Sequence, residues 1–226
     1  MDTRLEGKRA VVTQAADYMG PAIIELFREQ GAEVYTDETV LRTPEAVENL
    51  LGSAGEIDIL VANLAAPANF GVSAVDLGEE IWAEAFDLMV HPLYRLVRAV
   101  LPKMYERGSG KIVVVGSATG IKGMPELSAY SAARSAQVGY VRAVGLEAAR
   151  HNVQINLIAQ NWVENPAYFP PAFTETPAFK GLLEQQVPLG RLAEARESAQ
   201  LALFLASSES DFFVGQSIPF SGGWAQ

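Results

Sequence analysis

The chain has 226 residues, a formal net charge of −10 and only two histidines, and it contains no cysteine. The absence of cysteine excludes disulfides, thiol catalysis and thiolate metal sites, and two histidines are too few for a histidine-rich metal cluster. The negative charge offers no electrostatic footprint for a nucleic acid or an anionic membrane. Together with the lack of a long apolar run or a signal peptide, it favours a cytoplasmic protein without a membrane span.

Apolar strands alternate with helical patterns along the whole chain. Strands are predicted at 9–13, 32–36, 57–62, 112–115, 153–159 and 217–220. Helices are predicted at 21–30, 43–52, 81–107, 126–150 and 194–206, with an irregular segment from 160 to about 176. Pro92 predicts a kink or a break in the third helix. This order predicts one α/β domain over residues 1–226, with a Rossmann-like doubly wound parallel sheet and helices on both faces.

Three polar side chains are predicted to meet at the carboxyl end of the fourth strand. Ser117 follows that strand, and Tyr130 and Arg134 lie four residues apart on one face of the next helix. In an open α/β sheet, the ligand crevice lies at the carboxyl ends of the strands. A cation one turn from Tyr130 would favour its phenolate form. Taken singly, such a serine is usually a turn residue, and a tyrosine–arginine pair at this spacing is usually a surface pair.

Positions spread over nearly the whole chain resemble the short-chain dehydrogenase/reductase superfamily. The matching positions are Thr13 with Gly20, Asn63, Leu101–Met104, Ser117 thirteen residues before Tyr130, Asn156, and Gly222 with Gly223. This resemblance implies the same fold, but the fold alone does not determine the reaction.

The loop after the first strand departs from that superfamily. The superfamily reads Thr-Gly, three residues and Gly-Ile-Gly, whereas this chain reads TQAADYMG. Gln14 and Tyr18 therefore replace two of the three glycines that let a backbone approach a dinucleotide pyrophosphate. The ring of Tyr18 is expected to occupy space that a dinucleotide needs, and Asp17 adds negative charge there.

Two further departures accompany the loop. Arg134 stands in place of the superfamily's lysine, and Gln160 and Asn161 stand in place of the usual Pro-Gly. With Ser117 and Tyr130 kept, the whole chain resembles the halohydrin dehalogenases, and among them most closely the B-type members. That family has the dehydrogenase fold and uses no cofactor.

The resemblance implies that a vicinal haloalcohol closes to an epoxide by intramolecular displacement of halide. Tyr130 would be the base, Arg134 would stabilise its phenolate, and Ser117 would hold the substrate oxygen. In the reverse direction, halide, azide, cyanide or nitrite would open an epoxide. No cofactor and no metal are expected, the partners are small molecules, and the assembly implied is a homotetramer of two-fold symmetry.

The halide is expected in the vacated nicotinamide region, between the first loop and the segment after the fifth strand. Its predicted neighbours are Tyr18, Gln160, Asn161, Trp162 and Val163. By the resemblance, the backbone N–H groups of Trp162 and Val163 would bind it. Chain position predicts a substrate pocket lined by Phe70, Thr119, Met124, Leu127, Trp162, Tyr168 and Phe169. Residues 166–171 are expected to form either a lid or a rigid surface loop.

Two other functions stay open from the sequence. Asp37, at the end of the second strand, stands where an acidic residue would hold a ribose. It favours an NAD(P)-dependent reductase with an atypical loop, although a capping or turn role explains it equally well. The third possibility is a non-catalytic protein of the same fold that binds a small anion or a partner.

Overall fold

The computed structural model describes residues 3–226 and contains one six-stranded parallel sheet of order β2-β1-β3-β4-β5-β6. The strands are β1 (Arg9–Thr13), β2 (Glu33–Asp37), β3 (Ile59–Asn63), β4 (Gly110–Val115), β5 (Val153–Gln160) and β6 (Ser217–Phe220). All six predicted strands are present; β1 and β6 have the predicted bounds, and the ends of the other four shift by at most two residues. The strand order reverses between β1 and β3, so the topological switch point and its ligand crevice lie at the carboxyl ends of these strands.

Helices cover both faces of the sheet. They are α1 (Gly20–Glu29), α2 (Pro44–Ala54), α3 (Glu79–Met89), α4 (His91–Arg107), α5 (Thr119–Lys122), α6 (Ser128–Ala149), α7 (Pro171–Thr174), α8 (Pro177–Gln186) and α9 (Ala195–Ala206). The helix predicted over 81–107 is two helices that meet at Val90, in agreement with the break expected from Pro92. Within residues 3–226, no helix is both long enough and apolar enough to cross a membrane.

Helix α8 was not predicted, although its first residues carry a recognisable signal. The side chain of Thr176 accepts a hydrogen bond from the backbone N–H of Phe179, and Pro177 occupies the first turn. The same Thr-Pro pair begins α2 at Thr43. The expectation of irregular structure as far as about residue 176 is nearly right, since only the short α7 interrupts it.

The core consists of two apolar layers, one on each face of the sheet. Alternate residues of each strand enter opposite layers, so Val11 and Val114 pack towards α2, α4 and α6, whereas Val12 and Val113 pack towards α1 and α9. Burial on both faces explains why the inner strands β1, β3, β4 and β5 are mainly apolar runs rather than alternating patterns. The two layers hold the sheet edge at which polar side chains collect.

Candidate active site

Tyr130 and Arg134 form a buried pair on the inner face of α6. Their exposed fractions are 7% and 3%, so the pair is not at the surface, where such pairs are usually found. Arg134 Nη2 donates to Tyr130 Oη at 2.9 Å, and the guanidinium carbon lies 4.9 Å from the tyrosine ring centroid. The helical spacing thus brings a cation into direct contact with the phenol oxygen.

The other partners of Arg134 are neutral oxygens. Its Nη1 donates to Leu64 O at 2.8 Å and Val115 O at 3.1 Å, at the ends of β3 and β4, and to Gln137 Oε1 at 3.0 Å. No carboxylate of residues 3–226 forms an ion pair with it. Burial lowers the pKa of Arg134, but the oxygens of Tyr130 and Tyr168 outweigh burial and raise the pKa above its ordinary value. The site therefore holds a buried positive charge without a counter-ion, an arrangement that is costly unless an anion joins it.

Ser117 lies at the end of β4 and is held by Thr119. The backbone N–H of Thr119 donates to Ser117 Oγ at 3.2 Å, and the two hydroxyl oxygens lie 2.9 Å apart. When the Thr119 hydroxyl donates to Ser117, the serine proton is left to point elsewhere. Thr119, predicted as a pocket residue, thus supports Ser117 from behind.

Tyr168, from the segment after β5, extends the polar chain. Its hydroxyl donates to Ala66 O at 2.8 Å and lies 3.3 Å from Tyr130 Oη. Its ring meets that of Tyr130 edge-on, and the ring of Tyr18 lies 5.2 Å away between centroids. Burial, reinforced by the neighbouring Tyr130, raises the pKa of Tyr168 well above its ordinary value. Tyr168 is therefore a neutral phenol at neutral pH and acts as a hydrogen-bonding wall.

A cavity of about 50 Å³ lies between these groups. It is lined by the trio Ser117, Tyr130 and Arg134, by all five residues predicted around the halide, Tyr18, Gln160, Asn161, Trp162 and Val163, and by Tyr168 and Phe169. Because a water molecule takes about 30 Å³ in the liquid, the cavity holds one or two water-sized species. Several lining side chains are partly exposed, so the cavity opens to solvent.

Sequence reasoning did not name several lining residues as parts of the site. These are Asn63, Leu64, Ala65, Val115, Gly116 and Asn165. Their place in the chain could have indicated them. The strands β3 and β4 are neighbours, and Asn63 pairs in register with Val115 where both strands end. The segment after a strand on that edge borders the crevice whatever its chemistry.

The two backbone donors expected for the halide differ in the structure. The N–H of Trp162 donates to the side-chain oxygen of Asn161 at 2.9 Å, so this donor is already engaged. The N–H of Ala193 donates to Trp162 O, and Ala193 O accepts from the N–H of Glu164. Val163 lies between these two bonds, so its own N–H points away from Ala193. Among the hydrogen bonds of residues 3–226, the N–H of Val163 has no acceptor. Of the expected pair, Val163 is the available donor.

Four of the predicted pocket residues do not line the cavity. Phe70 is 62% exposed on the surface, and Thr119 lies behind Ser117. Met124 and Leu127 pack with Tyr130 in an apolar cluster between α3 and α6, where they stabilise the beginning of the helix. None of the four borders the cavity beside Tyr130, so their prediction as pocket lining from chain position is not met. The helix begins at Ser128 rather than near residue 126.

The loop after β1 closes onto the end of β3. Gln14 Nε2 donates to Ala65 O at 3.2 Å, and the N–H of Ala65 donates to Gln14 Oε1 at 2.8 Å. Asn63 Nδ2 donates to the carbonyls of Gln14 and Asp17, both at 3.0 Å. Gln14 and Tyr18 have φ of 45° and 51°, the left-handed region that glycine adopts without strain. The loop keeps a glycine-type backbone but carries two large side chains.

Tyr18 and Tyr168 reduce the space beside Tyr130 in which a nicotinamide ring would lie. An apolar cavity of about 150 Å³ accommodates benzene, whereas the cavity beside Tyr130 is three times smaller, and Tyr18 and Tyr168 meet across it. Asp37 caps a turn, since its carboxylate accepts from the N–H of Thr39 at 2.5 Å and its carbonyl accepts from the N–H of Ala15 at 3.1 Å. The capping role accounts for Asp37, and Tyr18 and Tyr168 narrow the crevice on the side of Tyr130.

A doubly wound parallel sheet with serine, tyrosine and a buried cation at its carboxyl edge defines a Rossmann-like α/β enzyme. A family model described as enoyl-(acyl carrier protein) reductase matches residues 7–225. The chain is 31% identical to the 3-oxoacyl-(acyl-carrier-protein) reductase of Vibrio cholerae, over 97% of this chain and 98% of the relative. The protein therefore belongs to the short-chain dehydrogenase/reductase superfamily and is an enzyme of that superfamily.

Two more comparisons show the range of its relatives. The 2-keto-3-deoxy-L-fuconate dehydrogenase of Xanthomonas campestris is 29% identical, over 99% of this chain and 82% of the relative. A solved structure titled "Dehalogenation enzyme" is 30% identical with a TM-score of 0.90, over 98% of this chain and 100% of that chain. The similar sequences are mainly oxidoreductases, whereas this structural neighbour carries a dehalogenase title.

Proposed function

We propose that this enzyme converts vicinal haloalcohols to epoxides without a nucleotide cofactor. The hydroxyl O–H bond of the substrate breaks, a new C–O bond forms to the neighbouring carbon, and the C–halogen bond breaks with its electron pair. The products are an epoxide, a halide ion and a proton. The structural neighbour titled "Dehalogenation enzyme" supports this proposal, because it matches the chain over almost its full length.

The observation that carries the proposal is the buried charge of Arg134. Its partners are all neutral, it touches the phenol of Tyr130, and it borders a cavity sized for a small ion. Each stage of the displacement contains an anion, first the phenolate, then the developing alkoxide and finally the halide. A buried cation fixed beside those anions lowers their free energy without reorganising at the moment of reaction.

The other residues take roles from their positions. Tyr130 removes the hydroxyl proton, and Ser117, oriented by Thr119, holds the same oxygen in line with the departing halide. The halide leaves into the cavity beside Tyr18 and Val163, and the carbon chain extends past the partly exposed Phe169 to solvent. Run backwards, a small anion in the cavity opens an epoxide whose oxygen receives the proton of Tyr130.

The second candidate is an NAD(P)-dependent reductase, which the similar sequences favour. It requires the nucleotide to displace Tyr18 and the bonds between Gln14 and Ala65. A direct assay separates the two functions.

The test measures chloride release from 1,3-dichloro-2-propanol with no nucleotide present. Wild type is expected to release chloride, and Tyr130→Phe is expected to lose at least about 10³-fold in rate because the base is gone. Tyr140→Phe is the matched control, since this tyrosine lies on the same helix outside the cavity and its loss leaves the rate unchanged.

Other outcomes would overturn the proposal. No release from this substrate or its brominated analogues, together with binding of NADH or NADPH, assigns the protein to the reductases. Binding of halide without turnover of any haloalcohol assigns it to the non-catalytic anion-binding proteins of this fold.

A further inference from the structure

Gln137 lies one turn beyond Arg134 on α6 and is completely buried. Its Oε1 accepts from Arg134 Nη1 at 3.0 Å, and its Nε2 donates to Met89 O at 2.9 Å. Met89 is the last residue of α3, so its carbonyl has no partner within that helix. A carbonyl can only accept and a guanidinium can only donate, which fixes the orientation of the amide between them. Gln137 thus ties the buried cation to the end of a neighbouring helix.

Within residues 3–226, Arg134 is bonded by the neutral amide of Gln137 and not by a carboxylate. The titratable groups that interact with Arg134 are Tyr130 on its own helix, Tyr168 on the segment after β5 and Tyr18 on the loop after β1. From the loop after β1, Tyr18 acts on Tyr168, and the carboxylate of Asp17 acts on Tyr18. No carboxylate from α3, α5, β4 or β5 bonds the guanidinium in residues 3–226. Gln137 occupies the position from which a carboxylate would pair with it.

We propose that Gln137 is a positioning residue that holds Arg134 in place while leaving its charge uncompensated, so that the anions of the reaction become its only negative partners. This inference rests on the proposed dehalogenation. It explains why an amide, rather than an acid or an apolar side chain, occupies the position. An acid would neutralise the guanidinium, and an apolar side chain would leave Met89 O without its donor and remove one of the three oxygens around Arg134 Nη1.

Two substitutions of similar length separate charge from structure. Gln137→Glu keeps the shape but places a carboxylate against the guanidinium, where a charge-assisted bond competes with phenolate and halide. Gln137→Met removes both hydrogen bonds of the amide and adds no charge. A purely structural amide would make the methionine variant at least as defective as the glutamate variant.

The first measurement is the affinity for bromide. Binding is detected by the change in fluorescence of Trp162, which lines the cavity. Gln137→Glu is expected to weaken bromide binding by about tenfold or more, because the anion then meets a neutralised cation. Gln137→Met is expected to stay within about threefold of wild type, since the guanidinium keeps its bonds to Leu64 O and Val115 O. In turnover, the glutamate variant is expected to lose kcat more than the methionine variant.

The second measurement does not depend on dehalogenation. The ultraviolet absorbance of tyrosinate is followed during an alkaline titration, and the signal of the same protein carrying Tyr130→Phe is subtracted. In the Gln137→Glu background, Tyr130 is expected to ionise at a higher pH than in wild type or in Gln137→Met.

The outcomes keep the two proposals apart. If wild type turns over haloalcohols but both Gln137 variants weaken bromide equally, the role given to Gln137 is wrong and the proposed function stands. If wild type neither binds bromide nor releases halide, the proposed function fails, and the order of tyrosinate ionisation alone decides the role of Gln137. Equal ionisation in the two variants would then overturn it.

Discussion

The loop after β1 and the inner face of α6 border the same cavity but hold their side chains there by opposite means. In the loop, Gln14 and Tyr18 adopt left-handed backbone conformations, at a cost of about 1–2 kcal/mol per residue. In α6, Tyr130, Arg134 and Gln137 occupy ordinary helical positions, and the helix interior contains no residue of positive φ. The loop thus has a strained backbone and carries large side chains into the cavity, whereas α6 has a regular backbone and places the positive charge of Arg134 there.

The difference shows where this chain departs from its superfamily. The loop keeps the backbone path of a glycine-rich turn and uses it to carry an amide and an aromatic ring into the crevice. The bonds between Gln14 and Ala65 and the contact of Tyr18 with Tyr168 offset the strain. The helix keeps the tyrosine and the cation in register. The loop thus carries two large side chains on a backbone conformation that glycine adopts without strain.

The largest expected effect lies on the helix side of the comparison. Arg134→Met is expected to lower kcat/KM for a haloalcohol by about 10²–10³-fold, because the donor to the tyrosine oxygen is removed. Arg134→Lys is expected to recover only part of the loss, since a single ammonium cannot reach all four oxygens that the guanidinium bonds. The measurement is steady-state chloride release.

The matched control for this prediction is Arg142→Met. Arg142 is an exposed cation on the same helix, so its loss changes the net charge equally without touching the cavity. Equal activity loss in Arg142→Met and Arg134→Met would show that the charge acts from a distance and not by contact.

An intermediate effect is expected in the loop and concerns stability. Gln14→Gly loses the two hydrogen bonds to Ala65, at about 1 kcal/mol each, but keeps the left-handed backbone without strain. Gln14→Ala loses the same bonds and keeps the strain, so its free energy of unfolding is expected to fall by about 1 kcal/mol more. Urea denaturation of both variants measures the difference.

Gln185 supplies the control for this order. It is an exposed residue of α8, and in a helix alanine is more stable than glycine by about 1 kcal/mol. The glycine variant is therefore expected to be more stable than the alanine variant at position 14 and less stable than it at position 185. The same order at both would mean that the loop does not need its left-handed conformation in solution.

The smallest effect is expected at alkaline pH, on the outer side of α6. Burial, helped by Tyr94 and Glu147, raises the pKa of Tyr140 to about 12. In the unfolded chain a tyrosine ionises near pH 10, so the contribution of this phenol to stability is complete below about pH 10. It is lost as the pH rises through about 12. The free energy of unfolding should decline less steeply with pH over this range in Tyr140→Phe, and equal slopes would contradict the prediction.

Much of the fold was accessible from local pattern. The four inner strands β1, β3, β4 and β5 and the break at Pro92 followed from apolar runs and a single proline, because burial on both faces of a parallel sheet leaves a continuous apolar run. Helix α8 was missed although Thr176 and Pro177 mark its start, because its short apolar face resembles a loop with scattered hydrophobic residues. Phe70, Met124 and Leu127 were misplaced because loop position does not determine where a side chain points.

The sequence by itself determined the six strands and the longer helices, the spacing of Tyr130 and Arg134, and the replacement of two loop glycines, since each depends on residues close together in the chain. Only the tertiary structure decided how Gln14 meets Ala65, how Asn161 engages the N–H of Trp162, and how Arg134 stays without a carboxylate. The contacts of Gln14 with Ala65 and of Arg134 with Leu64 O join groups far apart in the chain. The bond from Trp162 to Asn161 depends on a side-chain conformation that the surrounding packing selects. Such contacts leave no periodic trace in a sequence, because they form only after the sheet has brought its strand ends together.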